Sequence, residues 1–164
     1  MPNIIEIKGC AMNQETEEAL KEFFSAQKKL NQLGIIHSFD YLGDCARYLC
    51  QVMYGLELPK QARQALQAPH DGYDGIIGTS KVQVRYNNCP DGVPVRLVEP
   101  FGFDELIVVL APNCYLRPKE FQNEFVFYRF TKEEALKKFK KPGGKYIGGR
   151  TLFSKGYDKV LSLT

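Results

Sequence analysis

Apolar positions recur along the chain in two rhythms, and each predicts its own kind of element. Between Gln14 and Leu33 they fall at Leu20, Phe23, Phe24, Leu30 and Leu33, the spacing of one helical face. Asn13 stands where an N-cap is needed, Glu15, Glu17 and Glu18 lie at the positive end, Lys28 and Lys29 near the other, and Gly34 stops the helix. A second helix is predicted from about Tyr41 to Tyr54, with Leu42, Ala46, Leu49, Cys50 and Met53 inward and Gly55 as its stop. Residues 56–72, broken by Pro59, Pro69 and Gly72, read as a short extended piece followed by a partly helical connector.

Beyond Gly72 the rhythm changes to period two. Tyr73 to Ile77, a turn at Gly78-Thr79-Ser80, and Lys81 to Tyr86 form a predicted hairpin. Its second strand sends Val82, Val84 and Tyr86 to one face and Lys81, Gln83 and Arg85 to the other. Asn87 to Gly102 reads as a loop with an extended piece at Val95 to Val98, long enough to suggest a functional role. Glu105 to Ala111 is nearly all apolar, as in a strand covered on both faces, and Glu124 to Phe130 is an aromatic-rich strand. Thr131 and Glu134 make a capping box for a helix to about Lys140, which Pro142-Gly143-Gly144 ends. The last twenty residues read as loop with one terminal strand or helical turn. Helices, a hairpin, a buried strand, a further strand and a helix add up to a mixed α/β sandwich.

Length and composition narrow the class. A chain of 164 residues, 44% apolar and 25% charged, is a single globular domain rather than a disordered or coiled-coil protein. Its parts are an N-terminal helical part (13–55), a sheet core (72–130) and a basic C-terminal segment (131–164). The longest apolar run, Leu106 to Pro112, falls far short of the roughly 20 residues that a bilayer needs. No basic-then-apolar leader opens the chain, so a cytoplasmic location without membrane contact is expected. Cys10, Cys45, Cys50, Cys89 and Cys114 are an odd set without paired two-residue spacing and read as reduced thiols. His37 and His70 form no cluster with them, which disfavours a structural zinc site or a Cys-His nucleophile pair.

Charge is unevenly spread. Residues 129–164 hold 10 Lys/Arg against 3 Asp/Glu, whereas residues 1–128 hold 12 against 16. A basic segment of this kind meets polyanions by releasing counterions, or is simply a solvated face. Lys137, Lys138, Lys140, Lys141, Lys145 and Arg150 are its candidate DNA contacts. Phe139, Tyr146, Phe153 and Tyr157 run between them, either to stack on exposed bases or to pack on the core.

The chemistry-bearing stretch is Gly72 to Arg85. Asp74 opens one hairpin strand, and Gln83 and Arg85 share a face of its partner, so the three can converge. Two oxygen donors and a cation on one face suit metal-assisted phosphodiester hydrolysis, although alternating charges also describe a strand's wet side.

The segments GYDGIIGTSKVQVR (Gly72 to Arg85), GIIHSFDYLGDCARYLCQVMYGLEL (Gly34 to Leu58) and FDELIVVLAP (Phe103 to Pro112) resemble bacterial domains of the PD-(D/E)XK nuclease superfamily. The similarity spans about Leu30 to Leu136. These domains pair a Gly-Asp-x-x-Glu-Tyr-Leu helix with a Gly-Tyr-Asp-Ala strand and a Gln/Glu-x-Lys strand. The resemblance implies a restriction endonuclease-like core, a central mixed sheet flanked by helices, with the site at the hairpin edge. It implies Mg²⁺, or Mn²⁺, held by Asp74 and Gln83, with Asp74, Gln83 and Arg85 as catalytic residues. Asp44, on the same helix face as Arg47, is a candidate further metal donor, and Arg47 and Lys81 are candidate contacts to the DNA backbone.

Two departures weigh against that chemistry. Arg47 stands where the pattern has its helix glutamate, and Arg85 where it has its lysine. Arginine binds phosphate but cannot accept a proton. Lys81, on the Gln83 face, is the residue placed to replace the lost lysine. For Asp44, a local pair with Arg47 competes with metal ligation. Two functions are therefore expected to compete. One is a metal-dependent DNA endonuclease, for which a symmetric dimer would suit double-strand cutting. The other is an inactive nuclease-fold domain, without metal, that binds DNA or a protein partner.

Overall fold

A computed structural model describes residues 12–33, 42–59 and 72–163, apart from the side chains of Asn31 and Asp44. Helix α1 (Gln14–Gln32) starts where Asn13 Oδ1 accepts the Thr16 N–H at 2.7 Å, so the expected cap is the one used. Helix α2 (Leu42–Tyr54) follows. Strand β1 (Gly75–Ile77) and strand β2 (Ser80–Asn87) make the hairpin, and Glu57 adds a one-residue bridge to Ile76. Strands β3 (Val95–Leu97), β4 (Glu105–Leu110) and β5 (Glu124–Thr131) precede helix α3 (Lys132–Phe139), then strands β6 (Tyr146–Gly148) and β7 (Lys159–Ser162). The helical connector expected between residues 60 and 71, the two histidines and Cys10 lie outside the described residues.

The main sheet runs β1-β2-β4-β5-β7, and only the β2–β4 pair is parallel. A parallel pair obliges the chain to cross back over one face of the sheet. Residues 88–104 make that crossing without a helix, carrying β3 instead. β3 pairs with β6 as a second, two-stranded sheet, joining Val95 to Gly148 and Leu97 to Tyr146. The terminal segment expected to hold one strand or turn thus holds two short strands and a 3₁₀ turn at Leu152–Ser154.

Both faces of the sheet are covered, and alternation along β4 shows how. Leu106, Val108 and Leu110 join Phe103, Tyr128, Phe139 and Phe153 under α3, while Ile107 and Val109 join Phe24, Leu49, Val82 and Phe127 under α1 and α2. α3 is fixed at its start by the expected capping box, Thr131 Oγ1 accepting the Glu134 N–H at 3.2 Å and Glu134 Oε2 the Thr131 N–H at 2.9 Å. The chain is therefore an α/β protein with a central mixed sheet flanked by helices. Among the described residues, no helix is long and apolar enough to cross a membrane.

Candidate functional site

β1 covers β2 only as far as Val82, and the site lies at the edge left open beyond that pair. Asp74 closes the gap with its side chain. Its N–H donates to the Val82 carbonyl at 2.8 Å, and its Oδ2 accepts the Val84 N–H at 2.8 Å, so a carboxylate takes the next rung of the ladder. Oδ1 is left for α2, from which Arg47 Nη1 reaches it at 3.2 Å. Gly72 brings the outer wall close. Its φ is +81°, and a Cβ there would lie 2.1 Å from the Pro100 carbonyl oxygen, so only glycine lets the strand lie against the 98–102 turn.

The result is a cavity of about 310 Å³, whose walls include Arg47, Asp74, Gln83, Arg85 and Glu99. Four of the residues singled out from sequence thus meet in one place. Gln83 is buried at 6% exposure, unlike the wet-face residue that strand alternation alone describes. Its Oε1 and the Nε of Arg85 are buried with no hydrogen-bond partner among the described residues. Glu99, exposed at the rim, was not singled out from sequence, and its place in the long 87–102 loop is the only signal that pointed toward it. Cys50 lies beneath the site. Burial, then the charge of Asp74, pushes its thiol up to about 12, which makes it an inert neutral group rather than a nucleophile.

The remaining predicted residues lie elsewhere. Lys81 does not line the cavity; its ammonium sits 5.3 Å above the Tyr73 ring centroid. Lys137 and Lys138 ride on α3, with Lys138 Nζ 5.2 Å from the Phe130 ring centroid. Lys140 bridges to Tyr146, and Lys141 donates its N–H to the Lys145 carbonyl across the turn. Arg150 stacks on Tyr115 at 4.2 Å. Stacking on bases is excluded for two of the aromatics between these cations: Phe139 and Phe153 are fully buried core residues. Tyr146 packs on Phe101 and Tyr157 on Phe121, at ring separations of 4.9 and 5.1 Å. The Asp44 side chain lies outside the described ones.

The donor set can be tested against Mg²⁺ or Mn²⁺. Hard cations favour several anionic oxygens. Among the described residues, no group of three or more His, Cys, Asp or Glu is placed to hold a metal ion. Of the two described carboxylates on the cavity walls, Glu99 is exposed at the rim, and Asp74 has one oxygen facing a guanidinium and the other a backbone N–H. Arg85 adds a second cation to the same walls. These residues do not fit a resident divalent ion. No protein-family model matches the chain, and no curated protein matches it either.

Proposed function

We propose that this chain is a nucleic-acid-binding protein with a restriction endonuclease-like core, gripping the DNA backbone at the Asp74 cavity without metal-dependent cleavage. The Arg47–Asp74 pair carries this reading. A guanidinium stands where the resemblance has its helix glutamate, and it neutralises the carboxylate that would have drawn the ion. Arg85 on the cavity wall then takes the phosphate, since its fork suits oxyanions and it cannot act as a base. Lys81 beside Tyr73 and the basic segment from Lys137 to Lys145 supply further cations for phosphates. The endonuclease reading keeps one observation in its favour, the unpartnered Gln83 Oε1 beside Asp74.

The test is fluorescence anisotropy with a labelled DNA duplex in EDTA, followed by plasmid nicking in Mg²⁺ and Mn²⁺. Binding in EDTA, weakened by salt and by Arg85→Gln, with no nicking, is the expected result. Metal-dependent nicking that Asp74→Ala abolishes would return the chain to the endonuclease reading. Absence of binding at low salt would remove nucleic acid altogether.

A further inference from the structure

Two side chains of the cavity wall carry orphaned polar atoms of opposite kinds. Gln83 Oε1 is an acceptor and Arg85 Nε is a donor, two residues apart on one face of β2, and both are buried without a partner among the described residues. Buried polar groups left unpaired are costly, so a pair of them in one cavity describes the ligand that would satisfy both. A phosphodiester is acceptor-only. It can take the Arg85 N–H but has no hydrogen for Gln83. A divalent ion, the other partner that Gln83 could take, is disfavoured by the Arg47–Asp74 pair.

Resting on the DNA-binding reading, we infer that the cavity takes a single unpaired nucleotide, its phosphate on Arg85 and an N–H or O–H of its base or sugar on Gln83. Size agrees with this. A cavity of about 310 Å³ is at the small end of the ~300–1,000 Å³ typical of small-molecule sites and has no room for a duplex. Tyr73 and Tyr86 are also among its lining residues, and aromatic side chains are what a base stacks on. In paired DNA the Watson–Crick donors are engaged and a stacked base cannot enter so small a cavity, so the nucleotide must come from a single-stranded end, a gap or a flipped position.

The experiment compares two labelled DNA hairpins with the same duplex stem in EDTA, one closed flush and one with a single-stranded 3′ overhang. The full chain is expected to bind the overhang about tenfold more tightly, as for one buried hydrogen bond made or broken. Gln83→Met is expected to collapse that preference, whereas Arg85→Gln weakens binding to both DNAs. Thermal melting checks that each variant is folded. Equal affinity of the wild type for the two hairpins, or equal weakening of both by Gln83→Met, overturns the inference while leaving DNA binding in place. Binding to neither overturns the DNA reading itself, and the inference with it.

Discussion

Replacing Arg47 with alanine separates a structural ion pair from a substitute for a metal. The substitution removes the guanidinium at 3.2 Å from Asp74 Oδ1 and leaves the carboxylate with its Val84 N–H alone. The side chains are 34% and 16% exposed, so the pair belongs between two limits. Exposed pairs contribute about 0–1 kcal/mol, and breaking a buried one costs about 3–5 kcal/mol. A loss of about 1.5 kcal/mol follows, or a melting temperature lower by roughly 3–6 °C in a domain of this size. Without the guanidinium, Asp74, Gln83 and Glu99 present oxygens to a cavity that a weakly held cation can enter, with a Kd of about 1 mM. At about 10 mM Mn²⁺, mass action returns about 1.4 kcal/mol, nearly the whole deficit. The assay is thermal melting of wild type and Arg47→Ala across a Mn²⁺ series at constant ionic strength. Manganese should raise the variant's melting temperature and leave the wild type's in place. Equal shifts in both proteins would refute the reasoning, because Arg47 would then not hold the position a cation needs. A variant as stable as the wild type would refute the first half of it.

Three further outcomes are expected. Reversing the charges of Lys137, Lys138, Lys140 and Lys141 should flatten the salt dependence of DNA binding by roughly 0.9 in log–log slope for each phosphate no longer neutralised, and an unchanged slope would take α3 and its turn off the interface. Phe139→Ala empties a fully buried position between Phe130 and Phe153, and urea unfolding should register a loss of about 3–5 kcal/mol. Alkylation of the native protein at pH 8, mapped by peptide mass, should label half-buried Cys45 and Cys89 before Cys50 and Cys114, whose thiols burial pushes up to about 12 and about 11. With its folded pKa raised, Cys50 contributes its full stabilisation below the ordinary thiol pKa of about 8.5 and loses it as pH climbs toward about 12.

What was legible in the chain is what local chemistry decides. Asn13 and the Thr131–Glu134 box mark helix starts because capping needs only neighbours in sequence. β4 and β5 stand out because strands buried on both faces are apolar at consecutive positions. β6 was not legible, since three residues of Tyr-Ile-Gly have no strand character until β3, some fifty positions earlier, pairs with them. The same holds inside the site. Alternation put Gln83 and Arg85 on one face, but the burial of Gln83 and the presence of Glu99 come from the 98–102 turn folding over that face. Phe139 and Phe153 looked available to bases because a basic stretch with aromatics has the same pattern whether its rings point out or in.

The β3–β6 clasp has a consequence for how the molecule is made. A ribosome releases the chain from its N-terminus, so the described residues that wall the cavity, from Gly43 to Pro100, emerge before the strand at Tyr146–Gly148 that pins the outer wall through β3. Lys132, whose ammonium holds the Phe101 carbonyl at 2.6 Å, also arrives late. A nascent chain halted near residue 130 carries these wall residues without β6 to pair with β3 and without Lys132 to hold Phe101. The outer wall of the cavity thus gains its last two fasteners only with the basic segment, although the residues that line it are made earlier.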